Sequence, residues 1–93
     1  MSMTPDPITL AELGGAPTID VHGFDVANAI YEIDSLCERS WAKGEAAVRV
    51  VHGRGTGILR EGILRWARGR SDLRVQDSTV PSETGAVLYL CLK

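Results

Sequence analysis

Three sets of residues in this chain are of types that do chemistry. Asp20 and His22 stand two apart at the end of the apolar phrase Ile19-Asp20-Val21-His22-Gly23. A similar phrase, Val50-Val51-His52-Gly53, follows 30 residues later and opens onto Gly53-Arg54-Gly55-Thr56-Gly57. A histidine titrates near neutrality, so it can take a proton from a nucleophile or return one to a leaving oxygen. A carboxylate bonded to the imidazole fixes its tautomer and raises its pKa. Asp20, His22 and His52 together suit acid/base work or a divalent metal. The plainer alternative is a capping aspartate and a strand-end histidine bonded to its neighbours.

The glycines are the third set. Gly53, Gly55 and Gly57 alternate just before a helical pattern. Glycine permits close backbone approach, and a helix N-terminus offers free N–H groups and the positive end of a dipole. Arg54 inside the loop and Arg60 in the next helical turn add positive charge where a phosphate would lie. The run lacks the Gly-Lys-Ser/Thr of the P-loop and departs from the G-x-G-x-x-G of dinucleotide folds. The following strand is read as Leu73–Gln76, with no acid at its end to meet a ribose hydroxyl. A tight strand-to-helix turn is the alternative.

Two strands and two helices must carry these groups. Thr18–His22 reads as a short strand, followed by Asp25 as an N-cap. Val26, Ala29, Ile30, Ile33, Leu36, Cys37 and Trp41 then fall on one helical stripe, and Gly44 ends a helix of about 26–43. Ala46–His52 is rich in β-branched residues and nearly continuous, as a central parallel strand should be. Ile58 to about Arg68 forms a second helix with Leu59, Ile63 and Trp66 inward, Leu64 ambiguous, and Gly62 in its interior. Ala86–Leu92 alternates, with Leu88 and Leu90 on one face and Val87, Tyr89 and Cys91 on the other, so Tyr89 is a candidate for exposure.

The order βαβαββ, with right-handed crossovers, predicts a two-layer α/β sandwich. It has a four-stranded mixed sheet with two helices on one face. The two histidines then lie on one sheet edge, the carboxyl edge where ligands of open α/β sheets sit, and they are expected to converge there with Asp20. Residues 1–17 hold three of the four prolines and read as a flexible leader, with one helical turn over Thr9–Leu13. Residues 18–93 form the single domain.

A chain of 93 residues that is 44% hydrophobic and 24% charged fits one small globular domain and excludes disordered and membrane-spanning classes. No secretory signal opens it. Cys37 and Cys91 form neither a disulfide framework nor a metal site, and they read as small buried hydrophobes in a reducing cytoplasm. There is no G-x-S-x-G, C-x-x-C or H-E-x-x-H. Net charge is −2, but residues 1–38 carry seven acids and no Lys or Arg, whereas residues 39–74 carry nine bases against three acids. Eight of those nine are Arg, whose planar fork suits phosphate. That middle stretch is either an anion-binding flank or an ordinary solvated face. With five aromatics in all, no stacking platform for bases is expected.

Taken together, these motifs resemble the small MutS-related (Smr) domain. Its marks are a strand ending in Leu-Asp-x-His-Gly, a strand ending in His-Gly-x-Gly-x-Gly followed by x-Leu-Arg, and a Gly-Ala before the last strand. Here they stand as Ile19–Gly23, His52–Arg60 and Gly85-Ala86. The resemblance implies the fold of the C-terminal domain of translation initiation factor 3 and an endonuclease that nicks DNA or cleaves RNA. In the family some members work in DNA recombination or repair and some on messenger RNA at ribosomes.

On that resemblance, Asp20 and His22 are tied to cleavage, with His52 as a second acid/base or phosphate contact. Gly53, Arg54, Gly55, Gly57, Arg60 and Gly85 hold phosphate. Metal need varies across the family, so no metal residue is assigned, and magnesium or manganese stays an option. The partner implied is nucleic acid, with or without the ribosome, and no membrane. DNA or RNA and the oligomeric state are left open. One departure is the final loop, Val80-Pro81-Ser82-Glu83-Thr84-Gly85, where the family has a Gly-Gly-x-Gly stretch. Glu83 is therefore expected close to the phosphate. The rival readings are a non-catalytic nucleic-acid or ribosome-binding module and a small phosphate-ligand or protein-binding domain.

Overall fold

Apolar stripes and caps set the elements where the sequence places them. The computed structural model describes residues 15–93, and the helical turn expected over Thr9–Leu13 lies outside them. Strand β1 is Thr18–Asp20, helix α1 Val26–Ala42, strand β2 Ala47–Val51, helix α2 Ile58–Arg68, strand β3 Leu73–Asp77 and strand β4 Val87–Leu92. A short 3₁₀ turn, Pro81–Glu83, lies between β3 and β4. The α1 stripe buries Ala29, Ile33 and Cys37. Gly44, at φ +77°, lets the chain leave α1 with its N–H on the Trp41 carbonyl at 3.0 Å.

The sheet order is β1-β2-β4-β3. β1 and β2 are parallel, and β4 runs antiparallel to both β2 and β3. β1, β2 and β3 therefore end at one edge, where β4 begins. Both helices cover one face: Ile33, Cys37, Ile63, Leu64 and Ala67 pack with Val21, Val48, Val50, Leu88 and Leu90 in one core. Leu64 is thus a core residue, and Trp41 and Trp66 pack at the margin of the same core. Gly62 is required by α1, not by the sheet: a Cβ there would lie 2.5 Å from Val26 Cγ1. Arg70 ties the helices together, pairing with Asp34 at 3.1 Å and Asp72 at 2.8 Å while lying 5.4 Å from the Trp66 ring centroid.

The opposite face holds a second, smaller cluster of Ala47, Val87, Tyr89 and Cys91, with Ala16 and Ala86 against it. β4 is central and apolar on both sides, so Tyr89 is buried, not exposed. The loop before β4 folds beneath this face and supplies Glu83 to it. Glu83 accepts hydrogen bonds from Arg49 at 2.5 Å, from the Ser78 hydroxyl at 2.7 Å and from the Tyr89 hydroxyl at 3.0 Å. Burial opposes its ionisation, and the bonds from Ser78, Arg49 and Tyr89 outweigh that, holding its carboxyl below the usual range. Glu83 is an anchor for the loop and does not face the phosphate cradle expected from the sequence.

Both cysteines are buried, and burial pushes the Cys37 thiol up to about 12. Among the described residues, no helix is long and apolar enough to cross a membrane.

Candidate functional site

Asp20 is the last residue of β1, opposite Val51. Ile19 faces the helices, so Asp20 faces the other way. Its Oδ1 accepts the His22 backbone N–H at 3.0 Å and meets His22 Nδ1 at 2.7 Å. The backbone bond, then the side-chain bond, lower the Asp20 pKa. An ionised carboxylate can only accept, so Nδ1 carries a proton, and in the neutral ring Nε2 carries the lone pair. The His22 side chain is 72% exposed, leaving Nε2 to solvent or a ligand.

His52 follows β2 and has the opposite surroundings. It is 5% exposed and lies on the helix side of the sheet. Its Nδ1 lies 2.9 Å from the Gly53 carbonyl, which again puts the proton on Nδ1. Its Nε2 is buried without a partner among the described residues. Desolvation lowers its pKa, against the pull of the Gly53 bond, so the ring is neutral near pH 7. The structure therefore brings Asp20 and His22 together and sets His52 apart.

Gly53 separates the two histidines. It sits at φ +81°, and a Cβ there would lie 3.2 Å from His22 Cβ. Only glycine lets the end of β2 pass His22 in that conformation. The Gly53 and His52 N–H groups both donate to the Ala86 carbonyl, which pins this edge to the start of β4.

A cleft of about 440 Å³ opens between the N-termini of α1 and α2. Gly53 to Gly57, Arg54, Arg60 and Gly85 line it, as do His52 and Phe24; Asp20 and His22 do not. The two helix ends differ. The Asp25 carboxylate caps α1, accepting the Asn28 N–H at 2.8 Å. α2 begins after Gly57 at φ +90° with no side-chain cap. Among the described residues, the Leu59 and Arg60 N–H groups have no acceptor, and Ile58 has only Thr56 Oγ1 at 3.5 Å. An anion is the natural partner for such an end.

The two arginines of the cleft are already engaged. Arg54 donates to the Thr84 carbonyl at 3.1 Å and the Ser82 carbonyl at 3.0 Å, tying the glycine loop to the loop before β4 while keeping its charge unneutralised. Arg60 pairs with Asp77 through two bonds, at 3.2 and 2.5 Å. β3 therefore does end in an acid, Asp77, and that acid neutralises Arg60. With Arg49 on Glu83 and Arg70 on two aspartates, three arginines of the basic middle stretch serve internal ion pairs. Among the described residues, no group of three or more His, Cys, Asp or Glu side chains could hold a metal.

Sequence reasoning did not single out Phe24. It is 43% exposed on the wall of the cleft. The available signal was its position, a large aromatic off both apolar stripes between Gly23 and the cap Asp25.

The Smr domain model matches residues 19–93. Endonuclease MutS2 of Fusobacterium nucleatum is 44% identical over 50 residues, which is 54% of this chain and 6% of that protein. Endonuclease MutS2 of Clostridium botulinum is 35% identical over 57 residues, 61% of this chain and 7% of that one. The chain thus spans a small fraction of these relatives. The crystal structure of the Smr domain of Thermus thermophilus MutS2 superposes with a TM-score of 0.78 at 29% identity, covering 84% of this chain and 99% of that domain. YdaL, a stand-alone small MutS-related protein from Escherichia coli, gives 0.76 at 15% identity over 100% of this chain and 79% of its own, a likeness of fold alone.

Proposed function

The chain belongs to the Smr domain family, and from that premise we propose that it is an endonuclease domain that nicks or cleaves phosphodiester bonds of DNA or RNA. The observation that carries this reading is the Asp20–His22 pair, with Nδ1 fixed at 2.7 Å on the carboxylate and Nε2 open to solvent. Nε2 takes the proton of the attacking hydroxyl or water and, once charged, returns one to the leaving oxygen. Asp20 orients the ring and stabilises its cationic form. The phosphate rests at the uncapped N-terminus of α2, with the Gly53–Gly57 backbone and the Arg54 charge beside it. His52, being neutral, keeps a buried acceptor, Nε2, within the wall of the cleft. It meets a fully ionised phosphate only when protonated.

A second reading is favoured by one observation: Asp20 and His22 do not line the cleft. In that reading the same cradle binds nucleic acid, on or off the ribosome, without cutting it. The test is incubation of labelled RNA and supercoiled plasmid with the wild type and with the double variant Asp20→Ala, His22→Ala, with and without magnesium or manganese. Cleavage lost in the variant supports the nuclease and reports its metal need. Equal cleavage by both proteins defeats it, and salt-dependent binding with no product supports the binding module.

A further inference from the structure

We infer that the cleft takes an unstacked nucleobase beside the phosphate, between Phe24 and Ile58, so that the preferred ligand is single-stranded or locally unpaired nucleic acid and not intact duplex. This deepens the reading just given and rests on it. Phe24 is 43% exposed and Ile58 69% exposed, and neither joins the two core clusters. Phe24 comes from the entry to α1 and Ile58 is the first residue of α2, yet both line the same cleft. The fold thus holds two large apolar side chains in water at the uncapped end of α2. An inorganic anion gains nothing from them. A nucleotide carries both a charge for the helix end and a flat apolar face for the ring.

His52 supplies an independent observation. It is 5% exposed and lines the cleft, and its buried Nε2 has no partner among the described residues. With Nδ1 donating to the Gly53 carbonyl, Nε2 can only accept. A phosphodiester has no proton to give it. Exocyclic amino groups, ring N–H groups and ribose hydroxyls do. An orphaned acceptor, two apolar walls and an anion-seeking helix end are therefore all matched by one nucleotide. In a duplex the base faces are buried in the stack, and exposing one requires unpairing.

The experiment measures binding of the full chain to three labelled ligands of equal length: a single strand, the same phosphodiester backbone without bases, and a duplex. It compares the wild type, Phe24→Ala and Phe24→Tyr. The wild type is expected to bind the single strand roughly tenfold tighter than the abasic strand, the scale of one base stacked on an aromatic. Phe24→Ala removes that difference while still binding the abasic strand, and Phe24→Tyr keeps it. Wild type that binds strands with and without bases equally overturns the base site and leaves the phosphate cradle standing. A preference that survives in Phe24→Ala also overturns it, as does a preference for duplex. Binding of none of the three defeats the nucleic-acid reading and this inference together; an apolar protein segment would then be the occupant of the two walls.

Discussion

The two strand-to-helix junctions carry the same His-Gly phrase and put it to opposite uses. After β1 the histidine is exposed, bonded to a carboxylate, and the helix behind it is capped by Asp25. After β2 the histidine is buried, bonded to a backbone carbonyl, and the helix behind it is uncapped. The cause is register. The phrases repeat at a spacing of 30, but the ladder pairs Asp20 with Val51, an offset of 31. A slip of one residue turns a side chain to the other face of a sheet. His22 therefore stands beside Gly53, and His52 stands beside Val21. A repeat in sequence is not a repeat in space unless its period equals the pairing offset. On the proposed reading, the first junction holds a proton-transfer group in water and the second meets an anion.

That division is open to direct attack. If proton transfer belongs to the first junction alone, His22→Ala lowers the cleavage rate by about 100-fold or more while leaving the affinity for nucleic acid within about twofold. His52→Ala does the reverse, weakening binding with a smaller loss in single-turnover rate. Measured together, rates and dissociation constants sort the two. Equal losses of both kinds in both variants would dissolve the distinction.

The glycines separate the junctions next. Gly53 and Gly57 both have positive φ, so an alanine at either is strained by about 1–2 kcal/mol. At Gly53 a Cβ also meets His22 at 3.2 Å, whereas at Gly57 nothing among the described residues lies within 4 Å. Gly53→Ala should therefore cost more stability in chemical denaturation than Gly57→Ala, and it should also displace His22 and reduce cleavage. The reverse order would mean that the close approach of the two junctions is not rigid.

Much of this was legible in the sequence because it rests on local rules. The stripe from Val26 to Trp41, the cap at Asp25 and the stop at Gly44 fixed α1 within a residue of its observed end, and β-branched residues marked β2. What stayed hidden depends on pairing partners distant in the chain. No local pattern says that β4 enters between β2 and β3, and that insertion is what buries Tyr89. Glu83 reads as an acid in a glycine-poor loop, and only the fold brings Arg49, Ser78 and Tyr89 to it. Asp77 was missed as the end of β3 because a charged terminal residue looks like loop. The faces taken by His22 and His52 required the register itself.

The caps give a smaller difference. Asp25→Ala should destabilise the protein by about 1 kcal/mol, the usual worth of such a cap, because the Asn28 N–H loses its acceptor. It should leave phosphate affinity at the second junction unchanged. Thermal melts with and without inorganic phosphate measure both. A phosphate-induced gain that appears only in Asp25→Ala would mean that the anion seeks α1, and the contrast between the helix ends would fail.

The smallest effect is a titration. The chain has two histidines, so two ring signals report the two junctions separately. Desolvation holds the His52 pKa below the ordinary 6.5, with Arg60 pushing the same way and the Gly53 bond and Asp77 pulling against it. The sign follows from proton binding. Below pH 6.5 the unfolded chain protonates this residue while the folded chain still excludes the proton. Stability from this site is thus full above about 6.5 and declines as the pH falls to the folded midpoint, then levels. Proton NMR should place the His52 midpoint below 6.5, and His52→Gln should flatten stability over that interval. A His52 midpoint at or above 6.5 would mean that water or a partner reaches Nε2. The buried junction would then share the solvent of the exposed one, and the neutral acceptor that distinguishes it would be lost.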